Sequence, residues 1–186
     1  MPSRNSAVAA AVGLSLWLAG CASVGGGGRA VSDVPVKIGR PYAVRGVTYV
    51  PADARDYDEL GYASWYGKEQ AGNATASGER FRPKGVSAAH KTLPLPCYVE
   101  VTALDSGRTI LVRVNDRGPF SGKRIIDLSR GAADQLGIVA GGTAAVRVRR
   151  VDPPEKERAA LRAGKRAPER SATPSASLVM LRARLP

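Results

Sequence analysis

The stretch Tyr98-Val-Glu-Val-Thr-Ala-Leu-Asp-Ser-Gly-Arg-Thr-Ile-Leu-Val-Arg-Val114 decides the fold class. Two runs alternate with period two, Tyr98 to Leu104 and Thr109 to Val114, and each reads as a strand. Asp105-Ser106-Gly107 between them is a hairpin turn signal. Outward from this pair the same period returns in Ala144 to Arg149, and shorter strand candidates lie at Tyr62 to Tyr66, Ser87 to Lys91 and Ile125 to Leu128. One helix is predicted after them. Ser129 is its N-cap, Ala132, Ala133 and Leu136 form its apolar face, and Gly137 stops it. Short strands separated by Gly and Pro turns favour a small barrel over a sandwich of long strands.

The chain has 186 residues and 44% apolar content, enough for one domain with a core. Two cysteines exclude a disulfide-dense scaffold, and one histidine excludes a multi-histidine metal site. No metal or other cofactor is expected. No apolar run reaches the roughly 18 residues of a membrane span. The net charge is +12. The excess lies in 61–151, with 14 basic and 7 acidic residues, and in 152–186, with 8 and 4, whereas 21–60 is balanced. This charge is spread over strands and tail rather than gathered into one element, so a nucleic-acid partner is not expected.

Arg4 and the apolar stretch Ala7 to Leu18 read as an export signal over 1–20. The ending Leu18-Ala-Gly-Cys21 resembles a bacterial lipobox, which implies cleavage before Cys21 and lipidation of its thiol. Ala22-Ser23 resembles the pattern of outer-membrane lipoproteins facing the periplasm. Residues 21–60 read as a tether, Gly25 to Gly28, and an extended lead-in with a small hairpin around Arg45-Gly46. Residues 61–151 are the expected domain. Residues 152–186, opened by Pro153-Pro154, read as a basic, weakly ordered tail. Cys97 reads as a small apolar filler.

Four motifs place polar groups beside Gly or Pro. They are Ala63-Ser-Trp-Tyr-Gly67, Thr75-Ala-Ser-Gly-Glu-Arg-Phe81, Ala88-Ala-His-Lys-Thr-Leu-Pro94 and Val114-Asn-Asp-Arg-Gly-Pro-Phe120. Glu79, His90 and Asp116 are their titratable candidates. Trp65 and Tyr66 offer flat faces for a sugar. With Arg124-Ile-Ile-Asp-Leu-Ser129 and Gly142-Thr-Ala-Ala-Val-Arg-Val148, these motifs resemble the rare lipoprotein A (RlpA) family.

The resemblance implies a mainly β fold, a six-stranded double-psi β-barrel of the barwin and expansin kind with one or two short helices. It implies an endolytic lytic transglycosylase acting on peptidoglycan strands, with a preference for peptide-poor ones, in wall remodelling or daughter-cell separation. Asp116 then becomes the acid/base, Glu79 the second carboxylate, and His90 a group that orients a carboxylate or bonds the sugar. Trp65, Tyr66, Thr75, Ser77, Asn115 and Arg117 become substrate contacts. A monomer bound to wall glycan and anchored at Cys21 is expected. Each residue also has a bland role open to it. Asp116 can cap a turn, Glu79 can pair with Arg80, His90 can be a satisfied barrel histidine, and Asp127 suits a structural acceptor better than catalysis.

Two departures favour a second reading, a non-catalytic expansin-like wall binder. Gln70-Ala71 stand where many relatives carry an aromatic and a histidine. The 35 residues after 151 are too few for the SPOR domain that some relatives add, which leaves septal targeting without a carrier.

Overall fold

The computed structural model describes residues 31–186. The expected export signal, Cys21 and the glycine tether lie outside the described residues. The lead-in carries a hairpin of β1 (Tyr42–Val44) and β2 (Val47–Tyr49), turned at Arg45-Gly46 as expected, with both residues at positive φ. Six strands follow in the barrel: β3 (Asp58–Tyr66), β4 (Ser87–His90), β5 (Cys97–Ala103), β6 (Thr109–Asp116), β7 (Arg124–Ser129) and β8 (Thr143–Val151). They close in the order β3-β7-β4-β6-β5-β8. The pairs β3·β7 and β4·β6 are parallel and the other four antiparallel. This is the expected six-stranded double-psi barrel. It begins at Asp58 rather than Gly61, because Asp58 pairs with Arg149 on β8 and its carboxylate binds Arg147.

The alternation seen in the sequence builds the core. Val99, Val101, Val112, Val114, Ile126, Leu128, Val146 and Val148 are fully buried. Burying such side chains stabilises by about 1.5–3 kcal/mol each. Helix α1 (Arg130–Leu136) starts and stops where the sequence predicts. Ser129 caps it by accepting from the Ala132 N–H, and Gly137 ends it at φ 85°.

The tail differs from expectation. Residues 152–186 form α2 (Glu155–Arg162) and α3 (Ser175–Arg182), each following a proline, so the described residues hold three α-helices rather than one or two. Leu161, Ala167 and Leu178 are buried and anchor the tail. Four of its eight basic residues, Arg158, Arg162, Arg166 and Arg170, are matched to acids. Arg170 binds Glu100 and Glu157, Arg166 binds Asp134, and Arg158 binds Asp152 and lies over the Tyr98 ring. Only three apolar anchors in a charged stretch explain why composition alone reads as disorder. The tail also covers the outer face of β5, and that is why the strand's polar alternates are sheltered too.

Cys97 is buried and its thiol is pushed up to about 12 by burial, so it stays protonated and packs as an apolar filler.

Ser129 joins three elements. Its hydroxyl donates to the Gly85 carbonyl at 2.6 Å and accepts from the Ser87 N–H at 3.1 Å as well as capping α1. Ser129→Ala leaves three backbone groups, two of them buried, short of a partner. A loss of about 2 kcal/mol or more is expected, read as a lower urea midpoint with an unchanged m-value.

Candidate functional site

The site is built where one loop docks on the end of β6. Thr75 to Glu79 is a tight turn. The Thr75 N–H donates to the Glu79 carbonyl at 2.8 Å and the Gly78 N–H to the Thr75 carbonyl at 2.8 Å. Gly78 sits at φ 89°, a left-handed value that glycine adopts at least cost. Two bonds fix this turn to β6. The Ser77 N–H donates to the Asn115 carbonyl at 3.1 Å, and the Ala76 N–H to Asp116 Oδ1 at 2.8 Å. The motifs of Glu79 and Asp116, far apart in sequence, thereby become one rim.

Asp116 is half-buried. Both of its hydrogen bonds fall on Oδ1, from the Ala76 and Arg117 N–H groups. Oδ2 is left for another partner. β6 has one residue more than β4 here, so Ala88 pairs with Val114 but Ala89 pairs with Asp116. Such an irregularity re-aims a side chain at a strand end. Ala89 also pairs with Asp127 of β7, so Asp116 and Asp127 flank it across three strands.

Glu79 is held differently. Its Oε2 accepts from Arg113 Nη1 at 2.7 Å and from Asn115 Nδ2 at 2.9 Å. Burial opposes ionisation, but these two bonds and the Arg113 charge outweigh it and hold Glu79 below the usual carboxylate range. Glu79 is therefore a fixed anion at neutral pH. Its partner is Arg113 rather than Arg80, which reaches the Gly72 carbonyl instead.

Several candidates serve the scaffold. His90 is buried; its Nδ1 accepts from the Thr92 and Leu93 N–H groups, at 3.2 and 3.1 Å. That assigns the proton to Nε2, which donates to the Tyr57 hydroxyl at 2.9 Å. Neither nitrogen bonds a candidate carboxylate, so His90 is a supporting barrel histidine and not an orienting group. Arg117 also turns inward. Its guanidinium donates to the carbonyls of His90, Leu93 and Ile38, tying the lead-in to the barrel. Thr75 is buried, and its hydroxyl is engaged with Ser77 and the Glu79 carbonyl. Trp65 packs against the core with the Arg130 guanidinium 4.8 Å over its ring. Tyr66 packs on Phe81 at 4.6 Å. Burial, with Asp116 and then Asp127 nearby, raises its hydroxyl far above the usual tyrosine value. That hydroxyl and Asn115 Oδ1 are buried without a partner among the described residues.

The sequence reading missed Arg113. It also left Asp127 without partners. Asp127 Oδ1 accepts from Ser64 Oγ at 2.7 Å and Arg124 Nη1 at 2.9 Å, which fits the acceptor role expected of it. An arginine inside an alternating strand carries no local mark of being buried, so no sequence signal would have found Arg113.

His90 predicts a pH dependence. Burial, with the Arg117 and Lys91 charges, holds its ring down to about 3. The unfolded chain binds this proton near 6.5, so stability is full above that value and is lost as pH falls toward 3. Glu79, depressed from 4.5, adds a loss of the same sign below that value. Urea unfolding between pH 7.5 and 5 is expected to show a slope approaching about 1.4 kcal/mol per pH unit. His90→Gln flattens it, and an equal slope in that variant removes His90 as the cause.

Known proteins resemble this chain over the same residues. A family model described as "Lytic transglycolase" matches residues 58–148. The "Endolytic peptidoglycan transglycosylase RlpA" of Pseudomonas aeruginosa is 57% identical over 114 residues, 61% of this chain and 33% of that protein. The protein of the same name from Vibrio cholerae is 41% identical over 167 residues, 77% of this chain and 64% of that protein. The chain thus spans between a third and two thirds of the length of these relatives. Among solved structures, the "Streptomyces papain inhibitor" aligns at 23% identity and TM-score 0.41, covering 52% of this chain and 96% of that one. An apo expansin of Clavibacter michiganensis aligns at 21% and TM-score 0.42, covering 53% and 52%. The motifs and the matched relatives agree: over the barrel, residues 58–148, the chain is similar to the lytic transglycolase family model and to the RlpA proteins.

Proposed function

We propose that the protein is an endolytic lytic transglycosylase that cuts peptidoglycan strands and leaves 1,6-anhydro ends. The observation that carries this reading is the unequal pair on one rim. Among the described residues Asp116 Oδ2 accepts no hydrogen bond, while Glu79 is locked as an anion. Protonated Asp116 gives its proton to the glycosidic oxygen as the bond from C1 to that oxygen breaks. Positive charge develops at C1, and the Glu79 anion stabilises it at a distance. The C6 hydroxyl of the same sugar then attacks C1, and its proton returns to Asp116. No water is consumed, so one acid/base group suffices. The named relatives support this chemistry. Peptide-poor strands as substrate, wall remodelling, a monomeric state and a lipid anchor at Cys21 facing the periplasm, at the outer membrane, belong to the same proposal.

A second reading, a non-catalytic wall binder, draws on Gln70 and Ala71. They lie exposed on the turn after β3 and offer no aromatic face to a sugar. Mass spectrometry of fragments released from purified sacculi, with and without removal of stem peptides, separates the two. Anhydro-ended fragments are expected from the protein, with release falling by about 10²–10⁴-fold in Asp116→Asn and by about 10²-fold in Glu79→Gln. Reducing ends would convert the reading to hydrolysis. Pelleting with sacculi without release would establish the binder.

A further inference from the structure

Glu79 is connected to the lead-in before the barrel and to α2 after it. All three nitrogens of the Arg113 guanidinium are engaged: Nη1 on Glu79, Nε on Asp33 Oδ1 at 3.0 Å, and Nη2 on the Ser32 carbonyl at 2.9 Å. Its side chain is 3% exposed. Asp33 Oδ2 accepts in turn from Tyr98 at 2.8 Å and from Arg162 of α2, and Arg162 also binds Glu155. Arg162 further lines a cleft of about 40 Å³ together with Glu79, Arg80, Arg82, Arg113 and Asn115. Asp33 and Arg162 both lie outside the residues 58–148 that the family model covers.

We propose that Asp33 and Arg162 are positioning residues for Glu79, acting through Arg113, so that the lead-in and the tail helix α2 are working parts of the site. Arg113 is shared between two carboxylates. Arg162 neutralises one of them, Asp33, and leaves Arg113 free to hold the other. Without Arg162, Asp33 draws Arg113 more strongly and Glu79 loses part of its clamp. The charged and polar groups facing Glu79 are Arg113 and Asn115 from β6 and Ser77 from its own loop, with Arg80, Arg82 and Arg162 around the cleft. The consequence for turnover rests on the transglycosylase reading; the linkage itself does not.

The test is a carbon-13 NMR titration of the Glu79 carboxyl in the full chain, beside turnover on sacculi. Arg162→Ala is expected to raise the Glu79 midpoint by about half a pH unit or more. It is also expected to lower kcat by about five- to fiftyfold with KM held within about twofold. Arg162→Lys restores both. Arg162→Gln, which keeps a donor for Asp33 without the charge, replaces the alanine variant if that variant does not fold. An unchanged midpoint in a folded variant overturns the proposal. Absence of turnover in the unaltered protein overturns the transglycosylase reading alone, because the titration still decides the linkage.

Discussion

A buried guanidinium needs partners, and each nitrogen of Arg113 on β6 finds one within the protein. An unpaired charge there would cost several kcal/mol, so Glu79, Asp33 and the Ser32 carbonyl are required neighbours rather than incidental ones. Each fixes a different segment. Glu79 brings the turn of residues 75–79 onto the end of β6, Asp33 brings the lead-in, and Asp33 in turn brings α2 through Arg162. The β-barrel supplies the strand that carries Arg113, and Arg113 gathers the segments that make the rim. A second arginine repeats the device nearby, as Arg117 ties Ile38 of the lead-in to the carbonyls of His90 and Leu93.

The barrel's topology explains how β4, β6 and β7 bring this rim together. Its two parallel pairs run strands β3 with β7 and β4 with β6. The C-terminal residues Tyr66 and Ser129 therefore share one edge, as do Ala89 and Asp116. Parallel neighbours deliver their carboxyl ends to the same side, and polar side chains on the following loops collect there. Because β4 runs antiparallel to β7, the two parallel pairs deliver their carboxyl ends to opposite sides, and Asp116 and Asp127 are brought together instead by their shared pairing with Ala89, with Tyr66 reaching them from β3.

The fold was legible because it rests on local rules. Period-two runs marked β5, β6 and β8, the turn chemistry at Arg45-Gly46 marked the hairpin, and Ser129 with Gly137 bounded α1. The motifs singled out Asp116 and Glu79, which the turn of residues 75–79 brings to one rim. The misreadings share one cause, which is that exposure is a tertiary property. Arg117 and His90 look like site residues because they are polar and sit in motifs, yet packing turns them into scaffold. Arg113 looks like a surface alternate of β6, yet the lead-in and α2 cover it. The tail looks like solvated charge, yet its arginines meet acids contributed by β5, α1 and the lead-in. No pattern within a strand or helix encodes partners that arrive from more than 30 residues away.

The asymmetry of the two carboxylates also bears on which reaction this rim suits. Hydrolysis with two active carboxylates asks one to carry a proton and the other to activate water or attack C1. Glu79 Oε2 is committed to Arg113 and Asn115, and those bonds lower its basicity as they hold it ionised. A weakly basic, immobile carboxylate is poorly suited to deprotonating water, but it is well suited to standing near a cationic centre. In the proposed reaction the proton traffic falls to Asp116, whose Oδ1 is anchored by two backbone N–H groups while Oδ2 carries no bond from the described residues. One residue that gives a proton and takes it back needs a nucleophile already attached to the sugar. The C6 hydroxyl meets that requirement, so the electrostatics of the rim and the intramolecular reaction support each other.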